Sequence, residues 1–257
     1  MIIRVLGCYG NEYPGFRTTC MLINRTIALD AGSITSSLKL SEQAKLKHIL
    51  LTHSHLDHVL DIGFLADNII GRIARPVEIV GVRSVLEPLM KYILSNRIWP
   101  DFTKIPTAES PVLKTKKIKM RTSYKIEDVS IKAIPVNHTV PTTGFLVTEA
   151  GSGSVIFSGD TGPTRELWNV ANKTPDLRAV FLETSFPNRM RETADITRHL
   201  VPETMAEEIT KIDNYRKIKF YIHHMKPLYL KEIAKEVKAL GLKNVSVLEA
   251  GKRINIK

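Results

Sequence analysis

The chain has 257 residues, 43% of them hydrophobic and 25% charged, the balance of an ordinary globular protein long enough to bury a substantial core. Its formal charge of +11 favours anionic ligands such as phosphates or nucleic acid without choosing between them. No apolar run approaches the roughly 20 residues that cross a bilayer, so no membrane partner is expected. The opening MIIRVLGCYGNEYPG lacks the regions of a secretory signal, and the expected location is the cytoplasm.

Residues 2–6, 20–29 and 48–52 read as short apolar strands separated by turn residues. Cys8 and Cys20 lie in this stretch and are expected as buried free thiols, with a pairing across a hairpin as the alternative. His48 precedes its strand and reads as an exposed or packed histidine. Helices are expected over 61–71 and 84–96, with the strand VEIVGV (77–82) between them. In SNRIWPDF (95–102), Trp99 and Phe102 read as a packed corner or subunit contact, the alternative being a lid over substrate. A lysine-rich run, Lys114 to Arg121, leads into strands near 117–121, 129–136, 144–148, 154–158 and 178–185. Asp195 and Arg198 read as loop or helix-start charges. A helix follows over 202–212 with Pro202 in its first turn, then a strand at 220–224, a helix at 228–240 and a strand at 244–251. Strands then helices, twice over and with no linker, predict a single domain over 1–257. The expected class is α/β: a four-layer αββα sandwich of two mixed sheets flanked by helices.

The stretch ILLTHSHLDHVLDIG (49–63) holds His53, His55, Asp57 and His58 just past a buried strand. Crowded imidazoles repel when protonated and are costly to bury without partners, so a divalent cation is their natural companion. His53 and His55 share one side of an extended segment, whereas Asp57 and His58 open a helix and turn to a neighbouring space. That arrangement suits two cations but supplies too few donors for both. Three later strand ends offer the rest: His138, Asp160, and His223 with His224.

This order of motifs resembles the metallo-β-lactamase fold superfamily of metallohydrolases over essentially the whole chain. THSHLDH, SNRIWPDF, SGDTGPT, LETSFPN and HHMKP together are similar to the class II 3′,5′-cyclic-nucleotide phosphodiesterases. The resemblance implies that His53, His55 and His138 hold one cation, Asp57, His58 and a late histidine the other, and that Asp160 bridges them. The late ligand is His223 or His224; the family's histidine–apolar–Lys–Pro order selects His224. Asp30, in Leu29-Asp30-Ala31-Gly32, matches a turn whose aspartate is structural. Glu183 and His199 resemble a dyad, shared with tRNA 3′-processing nucleases, that protonates the leaving oxygen; a merely local hydrogen bond of His199 is the alternative. Asn137 and Thr161 flank ligands and would touch the phosphate or brace the ligands.

The implied cofactors are two divalent ions, zinc first and manganese or iron next. The implied reaction converts cAMP or cGMP to the 5′-monophosphate through a hydroxide held between the ions and oriented by Asp57, in a homodimer. Rival readings are a tRNA 3′-processing-type endoribonuclease, a carbon-ester or lactone hydrolase on the same metal pair, and a non-catalytic metal-bound sensor.

Overall fold

Turn residues decide where the apolar runs break into strands. In the computed structural model, which describes residues 1–257, the run 20–29 is a hairpin. Asn24 and Arg25 adopt positive φ (46° and 68°) and reverse the chain so that Ile23 faces Ile27. The short polar side chain of Asn24 tolerates that left-handed geometry, which a β-branched residue would not.

The first sheet contains β1 (Ile2–Gly7), β2 (Cys20–Ile23), β3 (Ile27–Leu29), β4 (His48–Leu50), β5 (Val77–Val82) and β6 (Leu113–Ile118). The second contains β7 (Ser123–Ile126), β8 (Val129–Pro135), β9 (Thr143–Glu149), β10 (Gly153–Phe157), β11 (Leu177–Glu183), β12 (Lys219–His223) and β13 (Val245–Val247). A last strand, β14 (Arg253–Asn255), returns to pair with β1, giving the spatial orders β14-β1-β2-β3-β4-β5-β6 and β13-β12-β11-β10-β9-β8-β7. Each sheet thus makes three antiparallel pairings followed by three parallel ones.

The two sheets share a core that includes Val5, Met21, Ile79, Ile131, Phe157, Phe181 and Tyr221. Phe181 stacks on Phe157 (centroids 4.5 Å apart) and tilts against Tyr221 (5.0 Å). Helix Asp61–Ile69 adds Ile62, Leu65 and Ile69 to this cluster. Behind the second sheet, Trp168, Met205, Ile209, Ile233 and Val237 from three helices cover Val180, Leu182, Phe220 and Ile222. The four-layer arrangement expected from the order of elements is therefore present.

Several local details differ from expectation. The helix expected over 84–96 is α-helical only over Arg83–Pro88 and continues as a π-turn over Leu89–Ile93. Pro88 has no N–H and its ring crowds the preceding turn, so the regular ladder cannot run through it. Short helices at Glu166–Asn172 and Arg191–Thr197 were not anticipated; at seven residues each, they are too brief to show a periodic apolar face. Asp195 lies inside the second of these, and Arg198 ends it in the left-handed conformation (φ 53°). The strand expected at 117–121 occupies Leu113–Ile118. Cys8 and Cys20 are buried and free. No helix is long and apolar enough to cross a membrane.

Candidate metal centre

The carboxyl ends of β3, β4, β8, β10, β11 and β12 carry Asp30, His53 to His58, His138, Asp160, Glu183 and His224 in turn. Within each sheet these strands run the same way, so the residues that follow them gather along one rim, where loops leave the rigid scaffold. Close approach at that rim depends on two glycines. A Cβ on Gly10 would lie 2.4 Å from the His224 carbonyl, and one on Gly32 would lie 2.1 Å from that of Asp57. His224 itself sits at φ 64°, and Asp30 at φ 57°. Such left-handed backbone in non-glycine residues costs of order 1–3 kcal/mol and persists where the surroundings enforce it.

Two groups of ligand-type atoms result: His53, His55, His138 and Asp160, and beside it Asp57, His58 and His224. Asp160 Oδ2 lies between them, 3.6 Å and 4.0 Å from Nε2 of His53 and His138, and 3.5 Å and 3.2 Å from Nε2 of His58 and His224. Nε2 of His224 is 3.3 Å from Asp57 Oδ2 and 3.2 Å from His58 Nε2, while His138 Nε2 is 3.3 Å from His55 Nδ1. Metal–nitrogen bonds of about 2.0–2.1 Å in a tetrahedral site put neighbouring ligand atoms about 3.4 Å apart, so these separations suit a shared cation. His53 Nε2 and Asp160 Oδ1 are buried without any hydrogen-bond partner. Burying polar atoms that way is expensive, and a cation removes the cost. The donor set of imidazole and carboxylate fits a pair of divalent ions such as zinc, with manganese or iron also compatible.

The far side of four of the five rings, all but His55, is tied down. His58 Nδ1 donates to Asp30 Oδ2 (2.8 Å), and His53 Nδ1 to the hydroxyl of Thr52 (3.0 Å), which in turn donates to Asp30. The Thr52 backbone N–H also donates to Asp30, at 2.8 Å. His138 Nδ1 donates to the Arg198 carbonyl (3.1 Å), and His224 Nδ1 to Ser185 Oγ (2.9 Å). These bonds assign the proton to Nδ1 and leave the Nε2 lone pair pointing into the centre, the usual support of metal-bound histidine.

Charge follows from burial. Desolvation pushes His53 well below the ordinary histidine value, lowers His55, and brings His138 to about 4, keeping these rings neutral and able to donate a lone pair. Burial opposes charge on His58 too, but Asp160, Asp30 and Asp57 outweigh it and raise its pKa well above normal. Asp57 and Asp160 are held below the carboxylate range: desolvation opposes the shift, and the facing histidines overcome it.

Glu183 and His199 form a separate pair beside the ligands. His199 Nδ1 donates to Glu183 Oε1 at 2.7 Å, and Ser185 Oγ lies within 3.0–3.1 Å of both side chains. The fully buried Glu183 also accepts from Thr161 N–H (3.0 Å). Burial disfavours charge on His199, yet the adjacent Glu183 carboxylate raises its pKa. Ligand atoms of His199, Asp160 and His224 all lie within 4.8 Å of one another.

Of the residues singled out from sequence, His53, His55, Asp57, His58, His138, Asp160, His224, Glu183 and His199 come together here. His223, the alternative late ligand, is buried with both ring nitrogens unpartnered, and desolvation takes it to about 3; it belongs to neither ligand group. The reading of Arg198 needs correction, and of the two roles left open for Thr161 and Asn137 the hydrogen bonds favour bracing. Thr161 is buried and its hydroxyl donates to the Gly162 carbonyl (2.7 Å), so its side chain braces the loop and is not open to phosphate; the exposed Asn137 gives its side-chain amide to the Pro163 carbonyl (3.0 Å). Arg198 is more than a loop charge, since its guanidinium donates to the His138 carbonyl (2.7 Å) while its own carbonyl receives the His138 ring. Thr52 and Ser185 were missed, because a lone hydroxyl carries no spacing signal. Trp99 packs edge-on against Phe64 (5.0 Å) and over Gly63, as expected for a corner.

A family described as the β-lactamase superfamily domain matches residues 25–224. A 3′,5′-cyclic-nucleotide phosphodiesterase of Schizosaccharomyces pombe is 33% identical over 106 residues, 41% of this chain and 29% of that protein. A ribonuclease Z of Mycolicibacterium gilvum is 28% identical over 186 residues, 65% of this chain and 62% of that protein. The matches thus span less than two thirds of either relative. Among solved structures, unliganded yeast PDE1 superposes with a TM-score of 0.85 at 17% identity, covering 99% of both chains, a likeness of fold.

Proposed function

The chain belongs to the β-lactamase superfamily, a family of metal-dependent hydrolases, and from that premise we propose that it is a two-metal phosphodiesterase that opens 3′,5′-cyclic nucleotides, cAMP or cGMP, to 5′-nucleoside monophosphates. The observation that carries the phosphodiester part of this reading is the Glu183–His199 pair beside the ligand groups; the choice of a cyclic nucleotide is supported by the likeness to a 3′,5′-cyclic-nucleotide phosphodiesterase. When a phosphodiester of a sugar hydroxyl is hydrolysed, the sugar oxygen would depart as a poor, strongly basic alkoxide, and a positioned acid is what such a leaving group requires.

His53, His55 and His138 would hold one cation and Asp57, His58 and His224 the other, with Asp160 between them. When bound, the ions would supply positive charge to the non-bridging phosphate oxygens and acidify a water toward neutrality. Asp57, half-buried at the mouth of the site, would orient that water for in-line attack on phosphorus. As the P–O3′ bond breaks, His199 would deliver its Nε2 proton to the departing oxygen, because its Nδ1 is committed to Glu183. Glu183, raising the basicity of the ring against the opposing effect of burial, favours the protonated form of His199 that this role needs. We further take the chain to be one domain, acting as a homodimer in the cytoplasm; a shared core drawing on both sheets supports the first of these.

An RNA substrate is the second reading, supported by the likeness to a ribonuclease Z and by a dyad that would serve either ester. Product analysis after incubating the Zn- or Mn-loaded protein with cAMP, cGMP, bis(p-nitrophenyl) phosphate and a tRNA precursor separates the two. Conversion of a cyclic nucleotide to its 5′-monophosphate is the expected outcome; cleavage of the precursor with both cyclic nucleotides intact would transfer the assignment to RNA. Asp160→Ala should abolish turnover of every substrate, and full activity in that variant would sink the two-metal reading.

A further inference from the structure

A cavity of about 1320 Å³ lies far from the metal centre. Its lining includes His48, Glu78 and Lys114, which pair laterally where β4, β5 and β6 begin. The metal ligands follow the opposite, carboxyl ends of such strands. Seven lysines and arginines line the groove against three glutamates. All three glutamates are already engaged: Glu42 with Arg4 (2.8 Å), Glu127 with Lys47 and His48 (2.5 and 3.4 Å), and Glu78 with His48 and Lys116 (3.3 and 3.6 Å). Arg25, Lys45, Arg75, Lys114 and Arg253 are exposed and have no carboxylate within ion-pair distance. Unpaired like charges around one concavity raise the potential inside it and attract anions.

The positive charge also leaves the groove in one direction. Lys114 is the second residue of β6, the edge strand of its sheet; Lys116 shares its face, and the exposed Lys117 and Lys119 lie on the opposite face at and just past the strand's end, so both sides of this edge carry positive charge. At about 3.3 Å per residue, Lys114 to Lys119 covers about 16 Å. Because β6 is parallel to β4, that path leads toward the rim that bears the metal ligands. Lysines on an edge strand also deter unwanted strand pairing, but that role explains neither the groove nor its three free arginines.

We propose that this groove and the adjoining β6 edge bind the phosphate backbone of a base-paired nucleic acid, at a site separate from the metal centre. Arginine presents a planar fork suited to phosphate, and three of the five free cations are arginines. The lining holds no Phe, Tyr or Trp, so nothing there offers the stacking platform on which unpaired bases or a nucleoside are usually held. A row of cations without such a platform reads repeated phosphates rather than bases.

The test uses the full chain in EDTA, so that it is independent of hydrolysis and of the metal centre. Fluorescein-labelled 16-bp duplex RNA and 16-bp duplex DNA are titrated by anisotropy at 50 to 200 mM salt, beside a labelled ATP analogue. Binding of at least one duplex is expected, with a log–log salt slope of about −4 for five phosphate contacts. The two arms distinguish RNA from DNA. In R25Q/R75Q/R253Q, three exposed substitutions, the slope should shrink by about 3 and affinity at 50 mM salt should fall at least about tenfold. Unchanged circular dichroism and melting temperature in the variant would show that folding is not the cause. Absence of duplex binding at 50 mM salt, equal binding by the folded variant, or binding of the ATP analogue alone would each overturn the proposal.

Discussion

Asp30 shows how much of the centre is decided by residues that touch no substrate. One carboxylate receives the Thr52 backbone, the Thr52 hydroxyl and the His58 ring, and so fixes two neighbouring ligands at once. Asp30→Ala should therefore weaken metal binding about 10- to 100-fold, read by titrating the chelated protein with zinc; unaltered affinity would show that Asp30 is only a turn residue. His199→Ala separates the acid from the rest of the site. It should slow an alkyl phosphodiester about 10²- to 10⁴-fold while leaving bis(p-nitrophenyl) phosphate nearly untouched, because nitrophenolate departs without a proton. Equal losses on both substrates would remove His199 from that role. Most of these residues were legible from sequence, since imidazoles and carboxylates at strand ends have few other uses. The supports were not: Ser185 joins Glu183, His199 and His224 through one hydroxyl, and the backbone carbonyl that orients His138 belongs to Arg198, a contact no side-chain pattern announces.

Buried strands were easier to foresee than the helices. β10, β11 and β12 are buried on both faces over most of their length, as strands covered by layers on both sides are, and their limits fell within a residue or two of expectation. Helices such as Glu166–Asn172 gain their order from packing Trp168 and Leu167 onto the second sheet, a tertiary effect invisible over seven residues. Pro88 was visible, but its consequence, a π-turn instead of a break, depends on what the following turn packs against. The aromatic stack between sheets carries a measurable share of stability. Phe181→Ala removes a fully buried ring held against Phe157 and Tyr221, and should cost about 3–5 kcal/mol in urea unfolding. A loss below 1 kcal/mol would mean the sheets repack freely around the gap.

Across the whole molecule, the metal-free protein should be acid-sensitive. His138 and His223 titrate at about 4 and about 3 in the folded chain, both pushed down chiefly by burial, against about 6.5 unfolded. Below pH 6.5 the unfolded chain takes up these protons first, so stability falls with pH, by about 1.4 kcal/mol per unit from the fully buried His223 alone. Asp57 and Asp160, depressed in the fold, add to the loss below about pH 4. Urea midpoints in EDTA at pH 7, 5.5 and 4.5 should decline in that order, and a flat series would contradict the burial of these rings. Metal at a hundred times its Kd should raise stability by about 2.7 kcal/mol, seen as a higher melting temperature. The seam between the sheets gives that gain a further meaning. His53 to His58 follow the first sheet's β4, whereas His138, Asp160 and His224 follow strands of the second, with His58 and His224 separated by 166 positions. Neither half of the chain holds all the candidate ligands. Were the polypeptide cut at the exposed Arg121–Thr122 link between β6 and β7, the fragments should reunite more tightly with zinc than with EDTA. The ions would then join the two halves of the chain across the seam as well as serve the chemistry.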